Sequence, residues 1–266
     1  MSGAQPRSVG SYLYCVTYSE PFLRSGTRFE AQGIAGRPAR VVPEADLAAI
    51  VSDSPQEEYD ITHENVTAHE RVVEAAMQRT DVLPFSFGTV AGNDQELRDQ
   101  LLKREGGELR RQLEWVKNRV ELGIKAIWDQ NALFAQIAND DPAIQELREQ
   151  IVGTTPEETY DVRLQLGELA DMAIQRQREV DAAAILDALS SLAVDVRSNN
   201  IMSDMMIVNA SFLVDNNRVQ SFSGKVSELQ RAQSGRMTLQ YAGPLPPYNF
   251  VSIVVRWEEP SGAITQ

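Results

Sequence analysis

Residues 120–129, VELGIKAIWD, alternate the apolar Val120, Leu122 and Ile124 with Glu121, Gly123 and Lys125. A period of two puts the first set on the core face of a half-buried strand and turns the second set outward. Downstream, helical character returns around Ala132–Ala138. Asp141-Pro142 then opens a further helix, with Asp as N-cap and Pro at the first helical position. Thr155-Pro156-Glu157-Glu158 combines a capping box, a proline at N1 and acid at the positive end of the dipole. From it Val162, Leu166, Leu169, Ala173, Val180 and Ala184 form an apolar stripe, which predicts one helix running to about Leu189. LAVDVRS (192–198) and DMMIVNASFLVD (204–215) flank Asn199-Asn200 as two antiparallel strands. A helix carrying Phe222, Val226 and Leu229 leads through Gly235 to a last strand in RMTLQYA (236–242). The order β, α, β, β, α, β predicts a modified ferredoxin-like fold over 116–243, with the helical material after its first strand as an insertion.

Upstream, SYLYCVTY (11–18) is a buried strand in which Cys15 packs as a small apolar side chain. A loop with Pro21, Gly26, Gly33 and Gly36 leads to ARVVP (39–43) and DLAAIVSD (46–53). These are short apolar runs separated by Pro43 that read as further strands, or as a strand and a turn. Val66, Val73 and Met77 share one face of a helix ending near Arg79, and His69 lies on that face. TDVLPFSFGTV (80–90) reads as an irregular strand at a sheet edge, where the missing N–H of Pro84 is tolerated. Asp94 is expected to cap a helix carrying Leu97, Leu101 and Leu102. Gly106 and Gly107 weaken this helix, and it resumes through Leu109, Leu113 and Val116. These elements predict an α+β domain over 1–115. After Gly243 the composition changes to PLPPYNFVSIVVRW, whose prolines enforce an extended path while Phe250, Ile253, Val255 and Trp257 are too apolar for a free tail. The segment 244–266 is therefore expected to be an arm that packs back on the body as a clasp between the domains and ends in disorder.

The 266 residues are 42% apolar and 24% charged, enough for a real core. With 25 Lys and Arg against 38 Asp and Glu, the net charge of −13 opposes binding to nucleic acid or to an anionic membrane. No apolar run exceeds five residues, so no bilayer-spanning helix is expected. One cysteine and a start without an apolar signal segment fit the reducing cytosol.

Chemistry-bearing patterns are sparse. The two histidines, His63 and His69, are six apart, about 120° around a helix, and do not share a metal easily. His69-Glu70 lacks the second histidine of a zinc-binding H-E-x-x-H motif, and a strand-buried Cys15 should have little thiolate character. GIAGRPAR (33–40) lacks the lysine and the spacing of a phosphate cradle. The acidic pairs Glu57-Glu58 and Asp140-Asp141 and the basic pair Arg110-Arg111 read as solvated surface. The aromatics near Pro84 and Tyr248 fit packing and chain reversal as well as they fit a small-molecule pocket. No catalytic, cofactor-binding or metal-ligating residue is assigned.

Two segments are more specific. AHERVVEAAMQRTDVLPFSFGTV (68–90) and YAGPLPPYNFV (241–251) resemble the two signature stretches of the gas vesicle protein F/L family, in order and at family-like separation. YLYCV and VELGIKAIW look like that family too, so the resemblance covers most of residues 11–257. It marks Pro84, Phe85, Phe87, Gly88, Gly243, Pro244, Pro246, Pro247, Tyr248 and Phe250 as family-motif residues with structural roles. It implies a two-domain, non-enzymatic protein of gas vesicles in the cytoplasm, a minor component or assembly factor that needs no cofactor. The implied partner is the hydrophobic major shell protein, gas vesicle protein A, which it would keep from aggregating during shell nucleation. Other gas vesicle proteins stand as further partners, and nucleic acid and membrane do not. The alternative is a regulatory module that binds a small ligand through its ferredoxin-like domain.

Overall fold

The structure, a computed structural model, describes residues 10–24, 29–55, 58–253 and 257. Gly26, Glu57, Val255 and the expected disordered end after Trp257 lie outside the described residues. The fold is mixed α and β, built on two sheets. The chain forms two compact units, one comprising the residues up to Glu121 with the segment from Pro244, the other Leu122–Gly243.

In the first unit the elements are β1 (Gly10–Tyr18), α1 (Glu20–Leu23), β2 (Arg40–Glu44), β3 (Leu47–Ser54), α2 (His63–Met77), β4 (Val82–Pro84), β5 (Val90–Ala91), α3 (Asp94–Glu96) and α4 (Gly106–Val116). A π-helical stretch, Leu97–Lys103, joins α3 to the turn before α4. The sheet order is β2-β3-β1-β4, β5 also pairs with β1, and every pairing is antiparallel. β1 is central and buried on both faces. A register shift between Leu13 and Cys15 breaks the alternation, so Leu13 and Val16 face one cluster while Tyr12, Tyr14 and Cys15 face another. The first cluster is filled by Leu97, Leu101, Leu102, Leu109, Leu113 and Val116, the second by Val72, Val73 and Ala76 of α2.

Pro84 pairs with Cys15 at the sheet edge, where the missing donor is harmless. Pro43 does not separate two strands but lies inside β2, the opposite edge, and the chain reverses at Ala45, whose φ of 52° is left-handed. Asp94 is not the helix cap. Asn93 takes that role, its side chain accepting from the N–H groups of Gln95 and Glu96, both at 2.9 Å. Asp94 instead accepts from Ser11 Oγ at 2.6 Å and from Arg40, tying the helix to β1 and β2.

Then follow β6 (Arg119–Trp128), whose first three residues belong to the first unit, α5 (Gln130–Asp140), α6 (Pro142–Ile151), α7 (Tyr160–Ser190), β7 (Asp195–Ser198), β8 (Met206–Asp215), α8 (Val219–Ala232) and β9 (Met237–Leu245). The sheet order is β7-β8-β6-β9, and β7 pairs antiparallel with β8 in the register Asp195↔Leu213 to Ser198↔Ala210. At the end of β6, Trp128 N–H reaches Met205 O and Asp129 N–H reaches Arg236 O, so both neighbours start where β6 finishes and run against it. Asp141 caps α6 as expected, accepting from Ala143 N–H at 3.0 Å.

Four expectations are corrected here. Glu121 does not face outward; it is 4% exposed. The capping-box bonds between Thr155 and Glu158 form, but they close a turn, and α7 begins at Tyr160. The stripe on α7 is also not covered along its whole length: Val180 is 63% exposed and Ala184 is exposed, while Asp181, Ile185 and Leu189 are buried. The apolar stripe keeps to one side of the helix, but the side that is covered changes along its 31 residues, and the buried carboxylate of Asp181 marks the inner face toward its C-terminal end. Trp128 Nε1–H donates to it at 2.8 Å and Arg236 grips it with one nitrogen at 2.8 and 2.6 Å. Finally, the extended arm does not start at Pro244, which belongs with Gly243 to β9, an edge strand with room for proline.

Candidate functional site

The two signature stretches meet in the first unit at His69. Thr62 caps α2, its hydroxyl accepting from Asn65 N–H at 3.2 Å, and the helix turns His69, Val72, Val73 and Ala76 inward. His69 is 2% exposed. Its Nε2 lies 3.1 Å from the Phe85 carbonyl oxygen and its Nδ1 3.0 Å from Tyr12 Oη. A carbonyl can only accept, so Nε2 carries the proton and Nδ1 accepts from the tyrosine hydroxyl. Tyr12 Oη in turn accepts from Gly88 N–H at 2.9 Å. Gly88 has a φ of 87°, in the left-handed region that favours glycine, at the turn where Thr89 bonds back to Ser86 O. Burial holds the His69 pKa down at about 4, the bond to Phe85 opposing this only in part. The imidazole is therefore neutral at pH 7 with both nitrogens engaged.

Around this hub the rings of Tyr12, Tyr14 and Phe87 stand 5.7, 5.4 and 6.0 Å from His69, and Tyr248 of the second stretch stands 6.4 Å away. Pro246 and Pro247 are buried, and a short 3₁₀ turn over Tyr248–Phe250 follows them. Phe250 is buried, and Val251, Ile253 and Trp257 pack half-buried on the leucine cluster. Polar contacts fix the register: the Glu121 carboxylate accepts from Asn249 N–H at 2.9 Å and from its Nδ2 at 2.5 Å. The Gln112 side chain accepts from Ser252 N–H at 3.1 Å and donates to its carbonyl at 3.0 Å.

Of the motif residues, Phe85, Phe87, Gly88 and Tyr248 are brought around His69, and Pro84 is held in β4. Gly243 and Pro244 lie on the exposed part of β9. Sequence reasoning missed Tyr12, Gln112 and Glu121 as partners. The one available signal was an acid between Val120 and Leu122 in an otherwise apolar strand. His63 is exposed at the start of α2, and Arg110 pairs with Asp46. Cys15 is buried, and burial pushes its thiol pKa up, as it does for Tyr12 and Tyr248. Among the described residues no group of three or more His, Cys, Asp or Glu could hold a metal ion, and no helix is long and apolar enough to cross a membrane. The arrangement thus joins two chain segments through packing and hydrogen bonds.

A family model described as gas vesicle synthesis protein GvpL/GvpF matches residues 10–252. The chain belongs to the GvpL/GvpF family. Gas vesicle protein F of a Streptomyces species is 35% identical over 81% of this chain and 88% of its own. Gas vesicle protein F of a Nostoc species is 28% identical over 92% and 99%. The crystal structure of the gas vesicle protein GvpF from an Anabaena species matches with a TM-score of 0.80 and 25% identity, covering 93% of this chain and all of that one. The junction at His69 therefore lies within the matched region of a GvpL/GvpF protein, as do both motif stretches.

Proposed function

We propose that this GvpL/GvpF protein is a minor component or assembly factor of gas vesicles, located with them in the cytoplasm, which binds the hydrophobic major shell protein and keeps it from aggregating while shells nucleate. The observation that carries this reading is the family match over residues 10–252, reinforced by relatives named as gas vesicle proteins along most of their length. A shell monomer with a large apolar face is an aggregation hazard before assembly, and a partner with a net charge of −13 helps keep the complex dispersed. The reading is non-enzymatic. In support, His69 is neutral with both nitrogens engaged and Cys15 is buried in a strand.

Within this reading the second unit is a modified ferredoxin-like domain. The order β7-β8-β6-β9 and the β, α, β, β, α, β succession support it, with α5 and α6 as the inserted region. The small-ligand alternative has less behind it. A recess in this unit lined by Ile137, Asp140, Asp141, Ala173, Arg176 and Gln177 holds about 180 Å³, below the several hundred Å³ usual for ligand sites.

The test is co-purification with the shell protein at about 0.1 M and about 1 M NaCl, where Debye lengths are about 10 and 3 Å. Apolar association predicts similar recovery at both. Complete loss at high salt would mean ionic recognition, and no recovery at either would reject the partner.

A further inference from the structure

The C-terminal segment is held on the first unit in the manner of a bound peptide. None of residues 246–253 lies in a strand. The Glu121 carboxylate accepts the backbone N–H of Asn249 as well as its side-chain amide. Gln112 takes both backbone groups of a single residue, Ser252, as a neighbouring strand would. Around these anchors Phe250 is buried, whereas Val251 and Ile253 are only half-buried against the leucine cluster.

Seating the segment also has a cost. Tyr248 Oη is buried with no hydrogen-bond partner among the described residues. A hydroxyl in that position loses its water and gains nothing in return, so opening restores its hydration. Favourable apolar contact and an unsatisfied hydroxyl oppose one another within one short segment, while β1 beneath it is buried on both faces.

We propose that residues 246–253 form a strap that opens from the first unit as a piece while the sheet beneath stays folded, with Tyr248 Oη biasing it toward the open state and the Asn249–Glu121 pair toward the closed one. The opening is a sub-global event, of the kind that hydrogen exchange resolves from global unfolding. It is independent of which partner the protein binds. Opening would uncover the apolar surface under Phe250, Val251 and Ile253 together with the aromatic ring cluster at His69.

The experiment is amide hydrogen exchange by mass spectrometry on the full chain and on two single variants, Tyr248→Phe and Asn249→Asp. In the unaltered chain the amides of Tyr248, Asn249, Phe250 and Ser252 should exchange at least about 100-fold faster than those of β1. Tyr248→Phe removes the unsatisfied hydroxyl and should slow strap exchange about ten-fold. Asn249→Asp sets a carboxylate against Glu121 and should speed it about ten-fold or more. β1 should exchange alike in all three, which shows that each variant is folded. The proposal is overturned if the strap and β1 exchange at one common rate, if Tyr248→Phe fails to slow the strap, or if Asn249→Asp fails to speed it in a chain whose β1 is still protected.

Discussion

His69 Nε2 donates to the Phe85 carbonyl across 3.1 Å while Nδ1 receives the hydroxyl of Tyr12 across 3.0 Å, so one imidazole joins α2, β1 and the Pro84–Gly88 turn. The bond that Nδ1 accepts from Tyr12 requires the neutral ring, whereas the Nε2–H donor to Phe85 is present in either protonation state. Protonation would turn Nδ1 into a donor facing a hydroxyl that already accepts from Gly88 N–H, inside an apolar shell.

A pH dependence follows from the depressed His69 pKa. Above about pH 6.5 the ring is neutral in both the folded and the unfolded chain and adds no slope. As pH falls the unfolded chain takes up a proton first, and the folded chain does so only near its pKa of about 4. Stability should therefore decline from about pH 6.5 to 4 and level off below, by about 3 kcal/mol in all. Urea midpoints across this range measure it, and His69→Phe should flatten this component of the slope. An equal slope in that variant would place the titration elsewhere.

Gly33→Ala tests how closely β1 packs on the loop before β2. A Cβ at Gly33 would stand 1.8 Å from Tyr14 Oη. That hydroxyl bonds Ser52 Oγ at 2.8 Å and receives Ile34 N–H at 3.0 Å. Gly33 has a φ of −92°, so the clash is steric rather than conformational. Displacing the ring from both partners should cost about 2 to 4 kcal/mol in denaturant unfolding. A variant of unchanged stability would show that the tyrosine can move freely.

Asn93 and Asp94 should differ in their response to salt. Asn93→Ala removes a cap worth about 1 kcal/mol through neutral hydrogen bonds, and that loss should be the same at low and high salt. Asp94→Asn removes an ion pair with Arg40, whose guanidinium nitrogen lies 2.6 Å from the carboxylate, at a half-exposed site. Its cost of about 1 kcal/mol should shrink in about 1 M NaCl. Urea unfolding at two salt concentrations separates the two. If both losses shrink alike, the assignment of the cap to Asn93 fails.

In the second unit Asp181→Ala should be more damaging than any surface change. It strips the partner from Arg236, which is three-quarters buried, and from Trp128 Nε1–H. Breaking a buried pair on one side costs about 3 to 5 kcal/mol. The emission of Trp128 should shift as its N–H loses the carboxylate, and near-native stability with unchanged emission would refute the role given to Asp181.

The local elements were legible because each depends on neighbours in the chain. The alternation of Leu122 and Ile124 with Gly123 and Lys125 and the Asp141-Pro142 start stand as read, and the two antiparallel strands around Asn199-Asn200 form with shorter bounds. The Pro84 edge strand and the inward His69 were legible for the same reason, since a missing N–H and an apolar helix face are local facts.

What only the tertiary structure decided is where polar groups find their partners. Asp94 and Asn93 are both good caps, and the choice fell to Asn93 because Arg40, 54 residues away in sequence, claims Asp94. Glu121 looks like an outward residue in its own strand, yet it is buried because Asn249 approaches from the far end of the chain. Asp181 took the inner face of α7 because Arg236 and Trp128 lie there to compensate its charge. An apolar side chain is placed by a non-directional force that periodicity records, whereas a buried carboxylate is placed by one or two donors whose position depends on the whole fold.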